Sequence, residues 1–121
     1  MDNVINAIEE ITTEGGEQNF CIIYLTEDYY LQFTGSKGSN ELYCEAVSNQ
    51  FLSKELQLSS TQNQQLLDLG WSEADFGNYS RSFRLQAGDA KMQLIKFIME
   101  TAKDVYKAPI NDDTEFTIEL E

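Results

Sequence analysis

The hydrophobic period of this chain changes along its length, and each change marks an element. From Asp2 to Glu14, Val4, Ile5, Ile8 and Ile11 recur at helical spacing while Glu9, Glu10 and Glu14 turn away. That pattern predicts an amphipathic helix. Asp2 or Asn3 stands at its N-cap, and Gly15-Gly16 ends it by permitting positive φ. The period then drops to two. Asn19–Leu25 sets Phe20, Ile22 and Tyr24 against Cys21, Ile23 and Leu25, which predicts an interior strand covered on both faces. Glu27-Asp28 reads as a tight hairpin connection. Tyr29–Thr34 sets Tyr29, Leu31 and Phe33 against Tyr30, Gln32 and Thr34. The polar, glycine-containing run Gly35–Asn40 is a loop. Glu41–Ser48 then sets Leu42, Cys44 and Ala46 against Tyr43, Glu45 and Val47. Short turns cannot join parallel neighbours, so these three strands form an antiparallel meander.

A second helix is announced by its ends. Ser59 with Gln62 is a capping-box pair, and Thr61 with Gln64 offers a start two residues later. Leu66, Leu67 and Leu69 make its apolar side. Gly70 occupies the position after the helix, with Trp71 folding back over Leu66. After a loop at Ser72–Gly77, Asn78–Gln86 alternates again: Tyr79, Phe83 and Leu85 face one way, Ser80, Ser82 and Arg84 the other, and Arg81 interrupts the apolar face. From Asp89 to Lys107 a long helix carries a stripe of Met92, Ile95, Met99, Ala102 and Tyr106, widened by Leu94, Ile98 and Val105. Pro109 stops it. Thr114–Glu121 sets Phe116, Ile118 and Leu120 against Glu115, Thr117 and Glu119, a fifth strand or a strand-like tail. The order α-β-β-β-α-β-α-β predicts an α+β domain: an antiparallel sheet of four to five strands with helices packed on one face.

At 121 residues the chain has room for one such domain. Charge narrows what it does. Eight basic residues against 21 acidic ones give a formal charge of −13. Such a field repels a phosphate backbone, which excludes nucleic acid as a partner. Four of the eight bases, Lys91, Lys96, Lys103 and Lys107, sit on the last predicted helix. There is no His, so imidazole-activated nucleophiles, imidazole metal ligation and a histidine pH switch are unavailable. No apolar run approaches the length needed to span a bilayer, and the amino terminus has no basic n-region. A cytoplasmic location without membrane attachment is expected. Cys21 and Cys44 then read as reduced core thiols, the alternative being one cross-strand disulfide.

Little in the sequence carries catalysis. Glu9-Glu10, Glu27-Asp28 and Asp112-Asp113 are surface pairs that solvation explains. Asn111, Asp113 and Glu115 imitate the start of a calcium loop, but the turn glycine is missing and the twelfth ligand position lies past the last residue. Gly35-Ser36-Lys37-Gly38-Ser39 lacks the spacing and the following helix of a phosphate loop. No metal and no cofactor is indicated, and the chain is not read as an enzyme. Glu45 lies mid-strand between Tyr43 and Val47; either it pairs with a strand neighbour, Arg81 or Arg84, or it is a hydrogen-bonding group in a ligand groove. Tyr29, Tyr30, Phe33 and Tyr43 concentrate on the second and third strands, where alternation sends some of them away from the helices.

An ordered series of residues carries a resemblance. It runs Tyr29-Tyr30-Leu31-Gln32-Phe33, then Glu41 to Leu52 with Glu45-Ala46-Val47-Ser48-Asn49 inside it, then Leu69-Gly70-Trp71, Asn78-Tyr79 and finally Val105-Tyr106. The series resembles the TY-Chap family of YbjN-like and type III secretion chaperone-like domains. Its pattern positions fall on Gln32, Glu45, Asn49, Trp71 and Asn78. The loop after Trp71 departs from the pattern, having Ser72-Glu73-Ala74 where a proline is expected. The resemblance implies a bacterial, secretion-chaperone-like fold with a family core over about 19–107 and an acidic strand-like segment over 112–121. It implies a non-catalytic role in binding a peptide or protein, and by analogy homodimerisation through the sheet or second helix.

The expected partner surface is the sheet face away from the helices, with Tyr30, Gln32, Tyr43 and Glu45 as the binding residues. The alternative is an acidic antagonist, of the immunity type, that captures a basic protein by charge. If the final segment occupies a sheet edge, strand addition by a partner at that edge is blocked.

Overall fold

The computed structural model describes residues 2–73, 77–85 and 89–121, and of Asp2 only the backbone. The chain folds as α1 (Asp2–Thr13), β1 (Asn19–Tyr24), β2 (Tyr30–Gly35), β3 (Glu41–Ala46), α2 (Ser60–Leu69), β4 (Tyr79–Arg84), α3 (Ala90–Glu100) and β5 (Glu115–Glu119). The predicted order is the observed one. Ala74 in the expected loop, Gln86 at the expected strand end and the Asp2 side chain lie outside the described residues. All strand pairs are antiparallel, in the spatial order β4-β3-β2-β1-β5. The last strand therefore returns to the first and closes the β1 edge, Ile118 standing opposite Cys21.

One face of this sheet is the core. Cys21, Ile23, Leu31, Phe33, Leu42, Cys44 and Ala46 are buried there beneath Val4, Ala7, Ile8 and Ile11 of α1 and Leu94, Phe97 and Ile98 of α3. Burial on the strands follows period two, as the sequence pattern required. Both cysteines are free and buried. Phe33 is the register partner of Cys21 on one side and of Cys44 on the other, which rules out the disulfide alternative. Burial pushes the Cys21 thiol up to about 12, with a smaller push from Glu10. It raises Cys44 as well.

Asn19 is buried where α1 meets the sheet and serves as its joint. Its amide donates to the carbonyls of Ile11, Glu14 and Gly16, and its Oδ1 accepts from the backbone N–H groups of Gly16 and Glu121. One side chain thus ties the end of α1 to Glu121, two residues beyond β5. At the other end of the domain, α2 begins with the expected capping box: Ser59 Oγ accepts from Gln62 N at 3.1 Å, and Gln62 Oε1 accepts from Ser59 N at 2.9 Å. The helix ends at Gly70, with φ of 111°, and Trp71 N donates to the Leu66 carbonyl at 3.1 Å.

Several boundaries and packing details differ from expectation. Asn3 lies inside α1, its Oδ1 accepting from Val4 N. The β1–β2 connection is a wider turn over residues 25–29, closed by Leu25 N and Thr26 N on the Tyr29 carbonyl. β3 stops at Ala46, and two short 3₁₀ turns follow at Asn49–Phe51 and Lys54–Leu56. Asn49 clamps this stretch, accepting from Leu58 N and donating to Leu58 O.

The last helix departs most. It passes at Thr101–Val105 into a π turn, in which Tyr106 N reaches the Thr101 carbonyl. Its buried stripe is Leu94, Phe97, Ile98, Thr101, Ala102 and Val105, while Met92 is 72% exposed. Of the expected stripe, Leu94, Ile98, Ala102, Val105 and Tyr106 are buried and Ile95 and Met99 half-buried; Met92 is corrected to the exposed side, and Phe97 and Thr101 join the buried set. Thr101 sits in the core because its hydroxyl is satisfied on both sides, accepting from the Trp71 indole and donating to the Phe97 carbonyl.

Candidate functional site

Among the described residues, no helix lies over the second face of the sheet. Register places its side chains in rows across the strands. One row runs Glu119, Phe20, Thr34, Tyr43, Ser82, and the next runs Thr117, Ile22, Gln32, Glu45, Ser80. Beyond them Tyr24 stands between Glu115 and Tyr30. All four residues singled out from the sequence lie on this face, and Gln32 and Glu45 are direct cross-strand partners. Tyr43 is 45% exposed, and Tyr30, Gln32 and Glu45 are half-buried. Adjacent strands are ~4.8 Å apart, so these side chains are mutual neighbours rather than isolated surface groups.

β1 was expected to be covered on both faces. It is interior to the sheet, but Phe20 and Ile22 are only half-buried and Tyr24 is exposed. Its second apolar set belongs to the open face. The signal was present in the strand's two-sided apolar pattern; what that pattern cannot say is whether another layer lies over it.

Tyr30 is fixed from beside the sheet. Its hydroxyl accepts from Asn78 Nδ2 at 3.1 Å, and Asn78 Oδ1 accepts from Ser48 N at 3.1 Å. Ser48 Oγ in turn donates to the Gly77 carbonyl at 2.7 Å. Asn78 and Ser48, both within the series that carried the resemblance, thus hold the start of β2 and the exit of β3 in place. Trp71, another pattern position, lies in the core, its ring 4.7 Å from that of Phe97.

Glu45 has neither of the expected arginine partners. Arg81 is on the helix side, its guanidinium 4.4 Å from the Phe83 ring and 4.7 Å from the Phe97 ring, donating to the Leu69 carbonyl. Arg84 shares the open face but pairs with Glu41 at 3.4 Å. Partial burial without a compensating cation holds the Glu45 carboxyl above its ordinary range.

A cleft of about 570 Å³ opens beside this face at the end of β1, where Tyr24, Glu27, Pro109, Asp113 and Glu115 line it. The calcium-like run at its wall is spent on a turn: Asn111 Oδ1 accepts from Asp113 N, and Thr114 Oγ1 accepts from Asn111 N. Among the described residues no group of three or more carboxylates and thiols is placed to hold a metal ion, and no helix is long and apolar enough to cross a membrane.

With this geometry in place, the comparison with known families decides the assignment. Residues 6–112 match the model of TY-Chap3, described as "T3SS (YopN, CesT) and YbjN peptide-binding chaperone 3". The chain belongs to this family. The resemblance drawn from the residue series and the predicted architecture are both upheld. The TY-Chap3 match stops before β5, the strand that closes the β1 edge. No curated protein and no solved structure matches the chain significantly.

Proposed function

We propose that this chain works in the bacterial cytoplasm as a non-catalytic binding module, holding an extended peptide or an extended segment of a partner protein on the open face of its sheet. The observation that carries this reading is the uncovered strip of Phe20, Ile22, Tyr24, Tyr30 and Tyr43, with the Gln32–Glu45 pair set among them. Apolar rings with polar tips suit a surface that is wet when free and dry when occupied. Membership in a family described as peptide-binding chaperones supports it. A face-on mode is favoured over strand addition because the aromatic and apolar side chains lie on the face, whereas the two edge strands are less inviting. β5, which takes the β1 edge, is short and carries Glu115 and Glu119, and on β4 Ser72 already exchanges two backbone hydrogen bonds with Ser80.

The test is a screen of ten-residue peptides, with the tightest binder titrated into isotopically labelled chain. Amide shifts centred on Ile22, Gln32, Tyr43 and Glu45 are expected. Shifts confined to α1 or α3, or the absence of any binder, would overturn the reading.

A second reading draws on the formal charge of −13: an acidic antagonist that captures a basic protein. It predicts association slowed steeply by salt, by roughly tenfold or more between low and physiological ionic strength.

A further inference from the structure

Most of the bases of this molecule lie away from the open face of the sheet. Lys91 and Lys96 are on α3, Lys103 lies in the π turn and Lys107 follows it. Arg81 faces the helices. On the open face, among the described residues, the acids are Glu41, Glu45, Glu115 and Glu119, and the base is Arg84, already paired with Glu41. The aromatic and aliphatic strip is therefore flanked by carboxylates on both sides, by β3 on one and β5 on the other. The adjoining cleft adds Glu27 and Asp113.

We propose that the segment held on the open face is cationic and amphipathic, with a lysine or arginine side chain over the Gln32–Glu45 pair and apolar residues over Phe20 and Ile22. This rests on the face-binding reading above and names the chemistry of its ligand. Three features converge on the cation's position. Glu45 has no ion-pair partner among the described residues, so an incoming ammonium or guanidinium completes a pair rather than competing for one. Gln32 opposite it offers a neutral acceptor to the remaining N–H groups. Tyr43 and Tyr30 occupy the rows on either side, where their ring faces attract a cation. A second copy of this chain is a poor occupant: docking face to face would oppose carboxylates without a compensating base.

The experiment uses three ten-residue peptides, identical except at the centre, with apolar residues at alternate positions and a central lysine, glutamine or glutamate. Binding to the full chain is followed by fluorescence anisotropy. The lysine peptide is expected to bind about tenfold more tightly than the glutamine peptide, and the glutamate peptide more weakly still. Glu45→Gln should abolish most of the lysine preference, bringing the lysine and glutamine peptides to within about twofold of each other on that variant. Glu14→Gln removes the same charge at the end of α1 and should alter binding less than about twofold. Equal affinity for the lysine and glutamine peptides overturns the cationic assignment and leaves face binding standing. Equal losses from Glu45→Gln and Glu14→Gln also overturn it, reducing the preference to bulk charge. Failure of all three peptides to bind overturns both.

Discussion

The Trp71 indole N–H donates to Thr101 Oγ1 at 2.9 Å, joining the residue that follows the Gly70 cap of α2 to the first residue of the π turn. Thr101 passes the chain on to the Phe97 carbonyl at 2.8 Å. Both groups are buried, so each bond has no water to replace it. Thr101→Val keeps the shape and strands the indole donor, which should cost about 1–3 kcal/mol in urea unfolding. In a Trp71→Phe background the same change should cost less than half as much, because the donor is gone. Equal costs in the two backgrounds would show that the hydroxyl matters through Phe97 alone.

Two glycines separate backbone conformation from crowding. Gly38 has φ of 78° with open space around the position of a Cβ, whereas Gly70, with φ of 111°, would point a Cβ into the Arg81 guanidinium. Gly38→Ala should therefore cost about 1 kcal/mol, the left-handed penalty by itself. Gly70→Ala should cost about 2–3 kcal/mol, since Arg81 must also leave the Leu69 carbonyl and its two rings. Thermal or urea unfolding reads both, and Arg81→Ala should erase the excess at Gly70.

Glu45 makes stability depend on pH in a defined direction. Burial raises its carboxyl above the ordinary value, so the folded chain holds that proton more tightly than the unfolded chain. Its contribution is fully present below the unfolded value and is lost as pH rises through the folded one. Glu45→Gln should thus be more stable than the native protein near neutrality, with the difference vanishing below about pH 4. Urea midpoints across that range measure it. A variant less stable than the native protein at neutral pH would reveal a cation already partnering Glu45 in the free chain.

What the sequence disclosed and what it hid divide along the range of the interactions. The capping box at Ser59 and Gln62, the stop at Gly70 and the alternation of β1 to β4 are local, and each is visible within a few residues. That Tyr30, Gln32, Tyr43 and Glu45 share a face follows from period two once the meander is recognised. The placement of β5 beside β1 joins residues nearly a hundred apart, and no local pattern encodes a partner at that distance. Thr101 was missed for a related reason: a polar residue belongs in a core only when distant groups satisfy it, here an indole thirty residues earlier. Apolar periodicity along the last helix identifies Leu94, Ile98, Ala102, Val105 and Tyr106 correctly but admits the exposed Met92 and omits Phe97. Arg81 was legible as an interruption, but its seat between two phenylalanine rings depends on α3 lying over β4.

Phe33 between the two cysteines bears on where such a molecule keeps its shape. Because a whole strand separates the sulfurs and both are shut away from solvent, oxidants have no internal staple to form and no exposed thiol to couple to another molecule. Thiol–disulfide exchange consequently has no purchase on its architecture.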